Sequence, residues 1–157
     1  GAAFDLHVHD VDYANYLAGV PTHVSAVGIK GPSGGFDHIS AHLVYPRGVV
    51  AFVRGGWTYA NKWPFEMAFT IECAKGTIHW RMTSGKPLQV ITDDGIEEPA
   101  VPSGNGWSRE LEYLVDCIEA GTRPKIATAA TSRDAIRVVD AEVRSAAANG
   151  RVIALRK

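Results

Sequence analysis

The segment Pro64–Met82, "PFEMAFTIECAKGTIHWRM", sets the period that governs the middle of the chain. Phe65, Met67, Phe69, Ile71 and Cys73 alternate with Glu66, Ala68, Thr70 and Glu72, the two-residue repeat of a half-buried strand. Lys75-Gly76 then turns the chain into "GTIHWRM". Turns this short demand antiparallel pairing, because a parallel crossover needs about a dozen residues. The same period recurs in "THVSAVGI" (22–29), "DHISAHLVY" (37–45), "VVAFVRGGW" (49–57) and "PLQVIT" (87–92), broken by "KGPSGG", "PRG" and "SGK". A meander is predicted from about Thr22 to Asp94.

On either side the period becomes helical. "VDYANYLAGVP" completes a stripe of Val8, Val11 and Ala18, with Tyr13 and Leu17 beside it, and Gly19 and Pro21 stop it. In "SRELEYLVDCIEAG", Ser108 is the expected N-cap, Leu111, Leu114, Val115 and Ile118 the inward face, and Gly121 the terminator. A further helix, Thr131–Ala148, points Ile136, Val139, Val143 and Ala147 inward, ends at Asn149-Gly150 and leads to a short strand, "RVIAL". The expected fold class is α+β: one large, mostly antiparallel, open-faced sheet with helices on one face, forming a single domain over residues 1–157.

Composition narrows the function. At 157 residues the chain is too short for an eightfold strand-helix barrel, which takes roughly 200 or more. Lys plus Arg number 16 against 17 Asp plus Glu, and no basic run interleaves with aromatics, which argues against a nucleic-acid partner. Cys73 and Cys117 sit in apolar segments and read as reduced, packed thiols. No apolar run approaches the roughly 18 residues of a membrane span, so a cytoplasmic protein without a membrane partner is expected. The opening, "GAAFD", runs straight into the richest motif and suggests a fragment of a longer protein.

That motif is "FDLHVHDVDYANYLAG", Phe4–Gly19. As a strand it would point His7 and His9 to one side, an H-x-H pair suited to the metal of a hydrolase. As the entry to a helix it places Asp5, His9 and Asp12 at i, i+4 and i+7, one face, with His7 and Asp10 turned aside. A carboxylate one turn from an imidazole orients it for proton exchange with a substrate hydroxyl. The bland account is an Asp cap and a His bonded to backbone. Arg54, Trp57, Lys62 and Trp63, in and after "RGGWTYANKW", are further candidates for holding a hydroxyl-rich substrate.

Taken together, "FDLHVHDVDYANYLAGVPTHVSAVG", "PFEMAFTIECAKGTIHW", "SRELEYLVDCIEAGTRPKI" and "ATSRDAIRVVDAEVRSAAANGRVIAL" resemble, in order, the C-terminal domain of the Gfo/Idh/MocA family of NAD(P)-dependent sugar and polyol dehydrogenases. The resemblance implies an acid/base role for His9, an orienting role for Asp5 and a structural one for Asp12. It also implies a sugar or polyol substrate and a homo-oligomer formed through the open sheet face. The sequence departs at His7, where many members have Gly. NAD or NADP would be bound by a Rossmann domain absent from this chain, which has neither "GxGxxG" after a strand nor the "EKP" of the family's catalytic Lys. No cofactor or metal site is therefore expected within it, and the isolated chain is expected to be inactive.

Overall fold

The computed structural model describes residues 1–155. In chain order the elements are a π-helical turn Ala3–His7, α1 (Val8–Ala18), β1 (His23–Lys30), β2 (Phe36–Val44), β3 (Val50–Gly56), β4 (Ala68–Cys73), β5 (Gly76–Arg81), β6 (Gln89–Thr92), β7 (Gly95–Glu97), α2 (Gly106–Glu119), α3 (Ala129–Ala147) and β8 (Ile153–Ala154). The α+β class and the antiparallel pairing hold. The strands, expected in one large sheet, are divided between two four-stranded sheets. Correspondingly the chain forms two compact units, Gly1–Tyr59 with the segment from Arg123 onward, and Ala60–Thr122.

In the first unit the sheet order is β3-β2-β1-β8, every pair antiparallel. Its register decides what each face carries. The cross-strand rows Val24/Leu43/Ala51, Ala26/Ala41/Val53 and Gly28/Ile39/Gly55 face the helices. The intervening rows Ser25/His42/Phe52 and Val27/Ser40/Arg54 form the opposite, open face. Val11 of α1 and Val138, Val139 and Ala141 of α3 join the strand residues in one core. Burying each of the larger aliphatic side chains is worth about 1.5–3 kcal/mol before conformational entropy is deducted.

The helix ends follow the sequence signals. Gly19, at φ 84°, closes α1, and its N–H donates to the Asn15 carbonyl. Thr128 caps the start of α3 by accepting from the Thr131 N–H. At the other end Asn149 (φ 55°) and Gly150 (φ 85°) donate to the carbonyls of Ala146 and Ser145, the left-handed closure that "NG" predicts. The Ser145 hydroxyl accepts from the Ala26 N–H at 2.9 Å and donates to the Arg151 carbonyl at 2.6 Å, tying the helix end to β1. The buried face of α3 differs from the predicted one. Ala135, Val138, Val139, Ala141, Glu142 and Ser145 point inward, while Ile136 and Ala147 are exposed. Small residues at 135, 141 and 145 let the helix approach the sheet closely, and a branched Ile136 on that face would hold it off.

The second unit carries the sheet β4-β5-β6-β7 and helix α2. The strand predicted from Phe65 begins at Ala68, leaving Phe65 and Met67 exposed, and Cys73 is exposed rather than packed. Strand β7, missed in the sequence, pairs with β6 across a two-aspartate turn. The N-cap of α2 is Asn105, not Ser108. Ser108 is the N3 partner, its N–H donating to Asn105 and its hydroxyl accepting from the Asn105 N–H. Gly121, at φ 62°, terminates the helix as predicted. Only Cys117 of α2 is buried. Leu111, Leu114, Val115 and Ile118, expected inside, are exposed, because amphipathic spacing fixes which side is apolar, not what covers it.

Leu43 is fully buried in the first core. Leu43→Ala should lower the unfolding free energy by about 2–5 kcal/mol in urea titrations.

Candidate active site

The opening motif folds as a helix, so the strand reading of His7 and His9 does not hold. The π turn Ala3–His7 runs directly into α1. Its inward stripe is Ala3, His7 and Val11, all buried. Asp5 and His9 lie on the exposed side, two residues before and after His7, and Asp12 is half-buried. His7 and His9 therefore point apart and cannot share one ion, which removes the geometry that a metal-dependent hydrolase would need. Among the described residues no group of three or more His, Cys, Asp or Glu could hold a metal.

His7 goes into the core. Its Nε2 and Oε2 of Glu142 on α3 share a hydrogen bond of 2.8 Å, with both side chains fully buried. Nδ1 of His7 and Oε1 of Glu142 have no hydrogen-bond partner among the described residues. The imidazole lies against the backbone of β3 at Gly55, where an added Cβ would stand 2.9 Å from Cβ of His7 and 3.0 Å from its Cα. Nearby, the Tyr45 hydroxyl donates to Oδ1 of Asn15 at 3.2 Å. Burial, and then the negative charge of Glu142, push the Tyr45 pKa well above the ordinary phenol range.

Around the exposed pair the electrostatics are mixed. Asp10 presents surface to solvent, yet desolvation of its carboxyl raises its pKa, opposed by the charges of His7 and His9. His38 is depressed, first by desolvation and then by Arg54 and His7.

A second polar anchor, also missed in the sequence, is Asp37. Its buried carboxylate accepts from the Ser33 hydroxyl and the Ser33 N–H, and the Trp57 side chain and the Ala2 backbone lie close enough to lower its pKa further. These bonds, the Ser33 hydroxyl foremost, hold its pKa below the usual carboxylate range against the opposing effect of desolvation. One side chain thus fixes the β1–β2 turn and lies beside the residues that precede the π turn and follow β3.

The remaining candidates separate. Arg54 is exposed on the open face of the sheet, the side away from the helix layer that carries Asp5 and His9. Trp57 follows β3 beside Asp37, 44% exposed. Lys62 and Trp63 are exposed in the second unit. The signal for His7 and Glu142 was present in the sequence: each interrupts an apolar stripe, His7 between Ala3 and Val11, Glu142 one turn after Val138 and Val139. A titratable group in such a stripe needs a buried partner.

The profile of the GFO/IDH/MocA C-terminal domain family matches residues 1–79, the half that contains the π turn, α1 and β1–β3. The chain belongs to this family. As a GFO/IDH/MocA C-terminal domain it has no match among curated proteins, but many among solved structures. Levoglucosan dehydrogenase in complex with NADH and levoglucosan matches with TM-score 0.80 and 23% identity, over 100% of this chain and 51% of its own. An aldose-aldose oxidoreductase from Caulobacter crescentus, complexed with glycerol, matches with TM-score 0.77 and 22% identity, over 95% of this chain and 46% of its own. An oxidoreductase from Agrobacterium radiobacter, in complex with NAD+, L-tartaric acid and magnesium, matches with TM-score 0.74 and 22% identity, over 96% and 48%. The GFO/IDH/MocA domain described here thus spans about half the length of these structures, and at such identities the likeness is one of fold. No helix among its described residues is long and apolar enough to cross a membrane.

Two outcomes test this geometry. Gly55→Ala should cost about 1–3 kcal/mol of unfolding free energy, because the new methyl meets the His7 backbone rather than a yielding side-chain end. Asp37, with its folded pKa lowered, stabilises the fold above the ordinary Asp pKa of about 3.9, and that contribution is lost as pH falls through this value toward the folded one. Asp37→Asn should therefore be less stable than wild type at neutral pH and show a flatter decline between about pH 5 and pH 2 in thermal melts.

Proposed function

We propose that this chain is the substrate-binding and oligomerisation domain of an NAD(P)-dependent oxidoreductase acting on a secondary alcohol of a sugar or cyclitol. The observation that carries the reading is the placement of Asp5 and His9, a carboxylate and an imidazole four residues apart and both exposed at the start of a helix, in a GFO/IDH/MocA domain. Solved structures sharing the fold include a dehydrogenase in complex with NADH and levoglucosan.

Oxidising a secondary alcohol removes a proton from oxygen and a hydride from carbon. A bound nicotinamide supplies the hydride acceptor. The described residues do not fit that cofactor themselves, since no strand among them leads through "GxGxxG" into a helix, and its binding belongs to a Rossmann domain elsewhere in the complete protein. What this chain contributes is the proton acceptor: His9 takes the proton from the hydroxyl, and Asp5 orients the imidazole. Trp57 offers an aromatic face to a sugar ring, with Asp12 as a further candidate for contact, while Arg54 lies on the opposite face of the sheet.

The open face of the first sheet supports the assembly role. Val27, Ile29 and Phe52 are 58%, 62% and 81% exposed, and the Phe52 ring stacks on His42 at 4.7 Å. An apolar patch of this kind suits a second copy of the chain.

In the complete oxidoreductase, His9→Ala should reduce kcat by about 100- to 10,000-fold, the usual contribution of a positioned acid/base, with Asp5→Asn the milder lesion. The isolated chain should show no micromolar affinity in an NADH titration, and such affinity would contradict the assignment of the cofactor to another domain. Phe52→Asp should convert a sedimenting dimer or larger oligomer to monomer, whereas a wild-type monomer at high concentration would remove the assembly role.

A further inference from the structure

The His7–Glu142 pair has no part in the proton chemistry above, yet it occupies the core directly behind it. Both side chains are fully buried, and each keeps one polar atom without a hydrogen-bond partner among the described residues. A pair of this kind is a poor source of stability, since apolar residues of like volume are often neutral or better in its place. Its neighbours on the two helices, Ala3, Val11, Val138 and Val139, are already apolar.

Position supplies the reason. His7 is the last residue of the π turn, and from Val8 onward the helix is α. A π turn holds one residue more than an α turn, and one residue corresponds to about 100° of rotation about the helix axis. If the turn closed to α geometry, the start of the turn at Ala3 would rotate by about that angle relative to His9, and Asp5, in the middle of the turn, by part of it. An aliphatic side chain at position 7 would pack over Gly55 in either register. An imidazole whose Nε2 must meet Oε2 of Glu142 is restrained to one.

We infer that His7 and Glu142 are positioning residues: their buried hydrogen bond holds the π turn, and so sets the angle at which Asp5 faces His9. The catalytic consequence rests on the acid/base reading of Asp5 and His9, whereas the control of register does not.

The test is the double substitution His7→Leu/Glu142→Leu in the complete protein. Cooperative unfolding at or above the wild-type Tm is expected, together with α rather than π geometry over Ala3–His7 in a crystal structure. Misplacing Asp5 should then lower kcat by about 100-fold, while KM stays within about threefold, since the binding residues are untouched. A retained π turn in the double variant overturns the inference. So does a shift to α geometry with kcat within about twofold of wild type, in a protein that His9→Ala inactivates. If His9→Ala leaves kcat intact, it is the acid/base reading that fails, and the register of the double variant alone decides the role of the pair. Should the double variant fail to fold, Glu142→Leu alone releases the same restraint, and the same outcomes are read from it.

Discussion

At Gly55 the backbone of β3 and the Cα of His7 approach so closely that a methyl group does not fit between them. Much of the first unit depends on that approach. It brings the π turn down onto the sheet, where the small side chains of Ala26, Ala41, Ala135 and Ala141 are buried in the same layer. At such a separation water is squeezed from around the imidazole, and a desolvated imidazole needs a polar partner. Glu142 provides it, and in doing so joins the N-terminal helix to the C-terminal one across the core. The first unit is thus tied together by a contact between the two ends of the chain as well as by its sheet.

Asp37 ties down the same region from the other end. Its carboxylate holds Ser33 in the β1–β2 turn and sits close to Ala2, ahead of the π turn, and to Trp57, beyond β3. Segments far apart in sequence thus gather around one buried carboxylate. A site built on such anchors keeps its geometry better than one built on loops. The sheet then has two unlike faces: one is covered by helices whose outer side presents Asp5 and His9, and the other leaves Phe52, Val27 and Ile29 exposed.

What the sequence determined by itself is short-range. Patterning located seven of the eight strands among the described residues, Gly19, Gly121 and Asn149-Gly150 marked the helix ends, and i, i+4 spacing put Asp5 and His9 on one exposed side of a helix. These features are legible because each depends on residues within one or two turns of each other. One departure from the sequence reading was equally local. The N-cap of α2 fell on Ser108 instead of Asn105 because the reciprocal bonds of a capping box make both residues plausible caps.

Tertiary structure alone decided the rest. Whether His7 turned toward a metal, a substrate or the core depended on Glu142, 135 residues away, and on the missing side chain at Gly55. The division of the strands into two sheets and the outward apolar face of α2 are likewise beyond periodicity, which says which side of an element is apolar but not what meets it. The physical reason is the same in each case. Secondary structure is chosen by local sterics and hydrogen bonds, whereas burial of a polar group is chosen by whichever distant residue can satisfy it once water is gone.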